Sequence, residues 1–198
     1  MIEENERRGL HMSGVYEKCP VLENDNYLLR FVEIGDVPSL LRVYSDKESL
    51  PFFNSDNCHG DDFHYDSLKR MEEAVNYWFD EYERKSFVRW SIISKKRNEV
   101  IGTIEVFQRR SNDYFNQCGL VRMDLRSDYE TESCIENLIS ILIEPVYELF
   151  ECQMIATKAI TLAGERRKAL EKMNFRLTDQ KLVGHDGAEY ENYWMLTK

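Results

Sequence analysis

The chain has no basic stripe, no long apolar run, no paired-cysteine motif and no metal-ligand spacing, and each gap removes a class of function. Lys and Arg number 26 against 36 Asp and Glu, a formal charge of −10 with a pI near 5.0. Phosphate backbones need clustered cations, so no nucleic-acid partner is expected. No stretch approaches the roughly 18–20 apolar residues of a membrane span, so no membrane partner is expected either. Five widely spaced cysteines, Cys19, Cys58, Cys118, Cys134 and Cys152, form no C-x-x-C pair and follow no secretory leader. That pattern predicts reduced thiols and a cytoplasmic protein. The four histidines, His11, His59, His64 and His185, suggest no Ser/His/Asp set, and the His/Cys/Asp-rich stretch 51–64 matches no zinc or calcium spacing, so no metal is expected.

What is present centres on residues 119–139. Val121, Met123 and Leu125 alternate with Arg122, Asp124 and Arg126, the period of a half-buried strand. The period then changes, and Ile135, Leu138, Ile139, Leu142 and Val146 recur at helical spacing. A strand therefore enters a helix through a short turn, a place where unpaired N–H groups can seat phosphate.

The rest of the chain reads in order. Residues 1–25 are polar and without period, which predicts a mobile leader, and Met12 is an alternative start behind Glu6-Arg7-Arg8. Tyr27–Val32 reads as a strand, and Asp36 as the N-cap of a short helix with Pro38 in its first turn. Residues 45–64 form a long loop, followed by a helix from Tyr65 to Arg84. Phe87–Ile93 and Val100–Phe107 read as a hairpin in which Glu105 shares a face with Ile101 and Phe107. Pro145 should kink the main helix or end its first part. Gln153–Ile160 is a strand, Glu165–Met173 a helix, and two last strands flank Gly184-His185-Asp186-Gly187. The order is βααβββαβαββ, with residues 26–198 as a single domain.

In this order, Tyr27-Leu28-Leu29-Arg30, Glu99-Val100-Ile101-Gly102-Thr103-Ile104, the strand and helix at 119–150, and Ala169-Leu170-Glu171-Lys172-Met173-Asn174-Phe175 resemble the GNAT superfamily of acyl-CoA-dependent N-acetyltransferases. The resemblance covers roughly residues 26–198. It implies an α/β (α+β) fold with a mixed, mostly antiparallel seven-stranded sheet, flanked by about four helices, whose fourth and fifth strands splay apart. It also implies acetyl-CoA as co-substrate. The pantetheine arm would lie along Met123, Asp124 and Leu125, and the pyrophosphate would sit on the turn Arg126, Ser127, Asp128, Tyr129, Glu130 and Thr131.

The turn departs from the family pattern, keeping Arg126 but placing Tyr129 and Thr131 where small residues are usual. Asp128, Glu130 and Glu132 add negative charge where an anion should bind. Ser127 with Glu130 also has capping-box spacing, which explains those acids without a ligand. Ala163 and Arg166 stand at the family's Asn and Ser positions, and Leu170 at that of the Tyr that protonates the leaving thiolate.

A primary amine must lose a proton before it attacks a thioester, and a carboxylate is the usual acceptor. Glu105 and Asp124 are the candidates. Against them stand an edge position facing water for Glu105 and a salt bridge to Arg122 or Arg126 for Asp124. Phe52, Phe53, Asn54 and Trp90 are the residues expected on the acceptor side. The function expected is acetyl transfer to a primary amine of a small molecule or peptide. A catalytically silent ligand-binding or interaction module of the same fold is the alternative, and a homodimer stays open.

Overall fold

The computed structural model describes residues 12–198. The first eleven residues, on which part of the expected leader falls, lie outside the described residues. Residues 12–25 are not a mobile leader. Helix α1 (Met12–Glu17) buries Val15 in the main core, where its carbonyl accepts from the Tyr82 hydroxyl at 2.7 Å. Strand β1 (Leu22–Glu23) pairs with β2 (Tyr27–Phe31). A polar stretch without period was ordered by what it packs on, which periodicity does not register.

Helix α2 (Val37–Tyr44) follows, with Pro38 in its first turn. Asp36 stands at its N-cap, but its side chain makes no cap hydrogen bond. The carboxylate instead accepts from both Arg30 nitrogens, from Ser91 Oγ at 2.7 Å and from the Glu33 amide. Helix α3 (Leu68–Glu83) is capped by Ser67, whose side chain accepts from the Arg70 amide, so it starts three residues later than the periodicity suggests. Strands β3 (Val88–Ser94), β4 (Glu99–Gln108) and β5 (Gly119–Leu125) form an antiparallel meander. Helix α4 (Glu132–Leu149) starts at the N-cap Thr131, not at a Ser127 capping box, and continues through Pro145. Strand β6 (Met154–Lys158), helix α5 (Gly164–Lys172) and strands β7 (Arg176–Leu177), β8 (Leu182–Val183), β9 (Glu189–Tyr190) and β10 (Tyr193–Thr197) complete the chain.

Among the described residues the main sheet has eight strands, ordered β1-β2-β3-β4-β5-β6-β10-β7, beside a separate β8-β9 ribbon. The mixed, mostly antiparallel sheet was expected; the count of seven was not met, because two-residue edge strands such as β1 and β7 carry no alternation to read. One face of the sheet buries Trp90, Ile104 and Met123 under α4, and the other carries α2 and α3. The register shifts between Ile92 and Ile93, so Ile101 is left unpaired and packs in the α4-side core. An extra residue in one strand turns the side chains beyond it over. Glu105 therefore does not share Ile101's environment.

β5 and β6 are parallel and pair only at Gly119–Ile155, Leu120–Ala156 and Val121–Thr157. Beyond Val121 they diverge, leaving Arg122–Leu125 unpaired on that side.

Candidate active site

The divergence has a narrow side and a broad side. Under α4, the space between the two strands is an apolar cavity of only about 20 Å³, lined by Val121, Met123, Ile139, Ile155 and Leu170 with Arg166 at its edge. That is room for about one water molecule. On the other face lies a cleft of about 1030 Å³, between α3, the 57–63 loop and the β8-β9 ribbon. This is the volume of a small-molecule or peptide-end site.

The cleft floor is a row of charges made by strand register. Arg89 on β3 faces Glu105 on β4, which faces Arg122 on β5. Glu105 takes a hydrogen bond from Arg89 Nη2 and another from Arg122 Nη1 at 2.7 Å, and it is only 1% exposed. Burial pushes its carboxyl up, but the two guanidiniums more than offset this and hold it below the ordinary carboxylate range. It is neither an edge residue facing water nor a free base. One row deeper, Asp124 is fully buried and accepts from the Tyr44 hydroxyl at 2.8 Å and Arg89 Nη1 at 3.2 Å. Its salt-bridge partner is Arg89, not Arg122 or Arg126: Arg122 shares its face but is taken by Glu105 and the Asp56 carbonyl, and Arg126 lies beyond the strand end, paired with Asp128 and Glu99. Burial raises its pKa. Trp78 stacks over Arg89, 4.2 Å from ring centroid to guanidinium.

Of the acceptor-side candidates, Phe52, Phe53 and Asn54 lie in the roof loop beside the divergence, residues 45–64, but none of the three lines the large cleft. Phe53 is buried against Tyr44, and Asn54 donates to the Tyr193 hydroxyl. Asp56, two residues on, clamps Lys158 at the end of β6 and accepts from Tyr193, while its carbonyl accepts from Arg122. Trp90 is a correction: it is fully buried on the α4 face, and its Nε1 donates to the Pro20 carbonyl. Strand alternation places residue 90 opposite Arg89.

The turn after β5 is a 3-10 segment, Ser127–Tyr129. Its amides are largely taken. Ser127 N–H donates to Asp46 Oδ2 at 2.9 Å, Glu132 N–H to Glu165 Oε2 at 3.2 Å and Cys134 N–H to the Thr131 hydroxyl. The Tyr129, Glu130 and Thr131 amides close on carbonyls within the turn. Arg126 is paired with Asp128 and Glu99, and the Tyr129 ring lies under Arg126 and Arg97. Glu130 is gripped by Arg166, which also donates from Nη1 to the Met123 and Phe52 carbonyls, each at 3.0 Å. Met123 and Leu125 present buried side chains to the α4 core. As it stands, the lane beside β5 does not fit a pantetheine arm.

Sequence reasoning marked Arg166 only as a departure and missed Asp46, Glu165 and Arg89 altogether. Arg89 had a readable signal, the one charge inside the Val88–Ile93 run; the other two depend on contacts from distant elements.

Among the described residues, no group of three or more His, Cys, Asp or Glu side chains is placed to hold a metal ion, and no helix is long and apolar enough to cross a membrane. No protein-family model matches the chain, and no curated protein matches it by sequence. Solved structures do. RimJ from Mycobacterium smegmatis, in complex with CoA-disulfide, superposes with a TM-score of 0.68 at 13% identity, over 90% of this chain and 86% of that one. A GNAT-family acetyltransferase from Bacillus anthracis gives 0.66 at 10% identity, over 90% and 98%. A ribosomal-protein-S5-alanine acetyltransferase from Vibrio fischeri gives 0.65 at 13% identity, over 90% and 96%. With its diverging middle strands and the helix that follows them, this chain has the fold of the GNAT acetyltransferases.

Proposed function

We propose that the protein is an acyltransferase that moves an acetyl group from acetyl-CoA to a primary amine presented in the large cleft. The observation that carries this reading is the divergence of β5 and β6 after Val121, with α4 beginning just beyond. It leaves main chain unpaired between the cleft and the α4 side, where a thioester and an amine could meet. Neighbours named as ribosomal-protein acetyltransferases support a peptide or protein amine over a small molecule. Five free cysteines support a seat in the reducing cytoplasm. Glu105 and Asp124 are the candidate carboxylates, and Glu105 acts by holding the two arginines more than by taking a proton.

A second reading, a ligand-binding module without transfer, is favoured by the Arg166 side chain seated in the lane. The two differ in a thermal-shift titration. A ligand that binds only the folded state stabilises it by about 2.7 kcal/mol at a hundred times its Kd. Acetyl-CoA should therefore raise the melting temperature, and a peptide amine should then release free thiol. No shift at millimolar acetyl-CoA would leave the module reading standing.

A further inference from the structure

Arg166 ties together three pieces of the molecule with one side chain. From the first turn of α5 it runs inward and is 3% exposed. Nε and Nη2 take both oxygens of Glu130 at 2.7 Å, on the turn; Nη1 reaches the Met123 carbonyl on β5 and the Phe52 carbonyl on the roof loop. A planar guanidinium with four bonds in place is pre-organised and tightly held. Met123 is where the strands have just parted, so the side chain lies across the gap from β5 to the roof loop. The turn is closed in the same way from outside, by Asp46 on the Ser127 amide and Glu165 on the Glu132 amide.

We propose that Arg166 is a bolt across the coenzyme lane: with these bonds made the lane is shut, and an acyl-CoA binds only when Arg166 has let go of Met123 and Phe52. The proposal rests on the acyltransferase reading. Because Phe52 belongs to the loop that also carries Asp56, withdrawal of Arg166 loosens the roof of the cleft, and lane and cleft open together. Ligands at the two places then help each other, and by the same factor in both directions. Arg166 touches no reacting atom; it decides access.

The test is coenzyme A binding by calorimetry to the wild type and to the double variant Arg166→Ala, Glu130→Gln. Removing both partners avoids stranding a buried charge, and circular dichroism checks the fold. A shut state populated to about 90% or more weakens apparent affinity at least about tenfold, so the variant should bind at least that much more tightly. Equal or weaker binding by the variant, with clear binding by the wild type, overturns the bolt and leaves the acyltransferase reading in place. Binding by neither at about 1 mM overturns both. Should the double variant not fold, Glu130→Gln alone, which loosens the grip and keeps Arg166, is judged by the same outcomes.

Discussion

Arg89 shows how much one strand residue can organise. Its side chain is buried under Trp78, spans two rows of the sheet, and touches Tyr44, Thr103, Glu105 and Asp124. Breaking such a buried pair from one side leaves uncompensated charge and typically costs about 3–5 kcal/mol. Arg89→Ala should lose that much in urea unfolding, and a loss below about 1 kcal/mol would show that the carboxylates find other partners. The acid side follows from the same row. Glu105 is held below its ordinary 4.5, and Asp36 and Asp46 below 3.8, by their donors. A carboxyl with a depressed folded pKa stabilises above its unfolded value, and the contribution disappears as pH falls through the folded one. Melting temperature should therefore fall below pH 4.5, and less steeply in Glu105→Gln. Asp124 has the opposite sign: its raised pKa favours the fold at low pH and opposes it once the group ionises. Glu105, held low by its two arginines, is also a poor proton acceptor, so turnover should keep rising with pH toward the amine's own pKa of about 10.

At the scale of elements, two positions decide whether the middle of the sheet closes properly. Gly102 sits opposite Leu125, and a Cβ there would lie 2.2 Å from the Asp124 carbonyl oxygen. That atom is backbone and cannot step aside, so Gly102→Ala must push β4 from β5 at the level where the lane begins. Overpacking of this kind costs about 1–3 kcal/mol, readable as a lower urea midpoint. Thr131 is the second position, because its hydroxyl accepts from the Cys134 amide and starts α4. Thr131→Ala should cost about 1 kcal/mol, and hydrogen exchange should rise first in the opening turn of that helix.

For the whole molecule, the loop at 45–64 joins the two layers. It is tied to the turn through Asp46, to α5 through the Phe52 carbonyl, to β6 through Asp56 and to the β8-β9 ribbon through Asn57. A long loop held at four separate places should resist proteolysis. Lys158→Met removes the charged partner of Asp56 and leaves it the Tyr193 hydroxyl, and chymotrypsin should then cut at Phe52 and Phe53 several times faster than in the wild type. An unchanged rate would mean that the other three ties suffice.

Local order and period were enough to read most of the elements from the amino-acid sequence. The strand, turn and helix around residues 119–149, the β3-β4 hairpin and the ribbon at Gly187 all announce themselves within a few residues, because alternation, helical spacing and turn chemistry are near-neighbour properties. The GNAT resemblance rested on those pieces in that order. The site was legible only in part. Glu105 was singled out as a carboxylate on an apolar strand, but its two arginines come from neighbouring strands whose register no single strand specifies. The ordering of residues 12–25 and the placing of Arg166 beside β5 came from packing between segments far apart in sequence. Periodicity says which way a side chain points along its own element; what it meets there is decided only when the elements assemble.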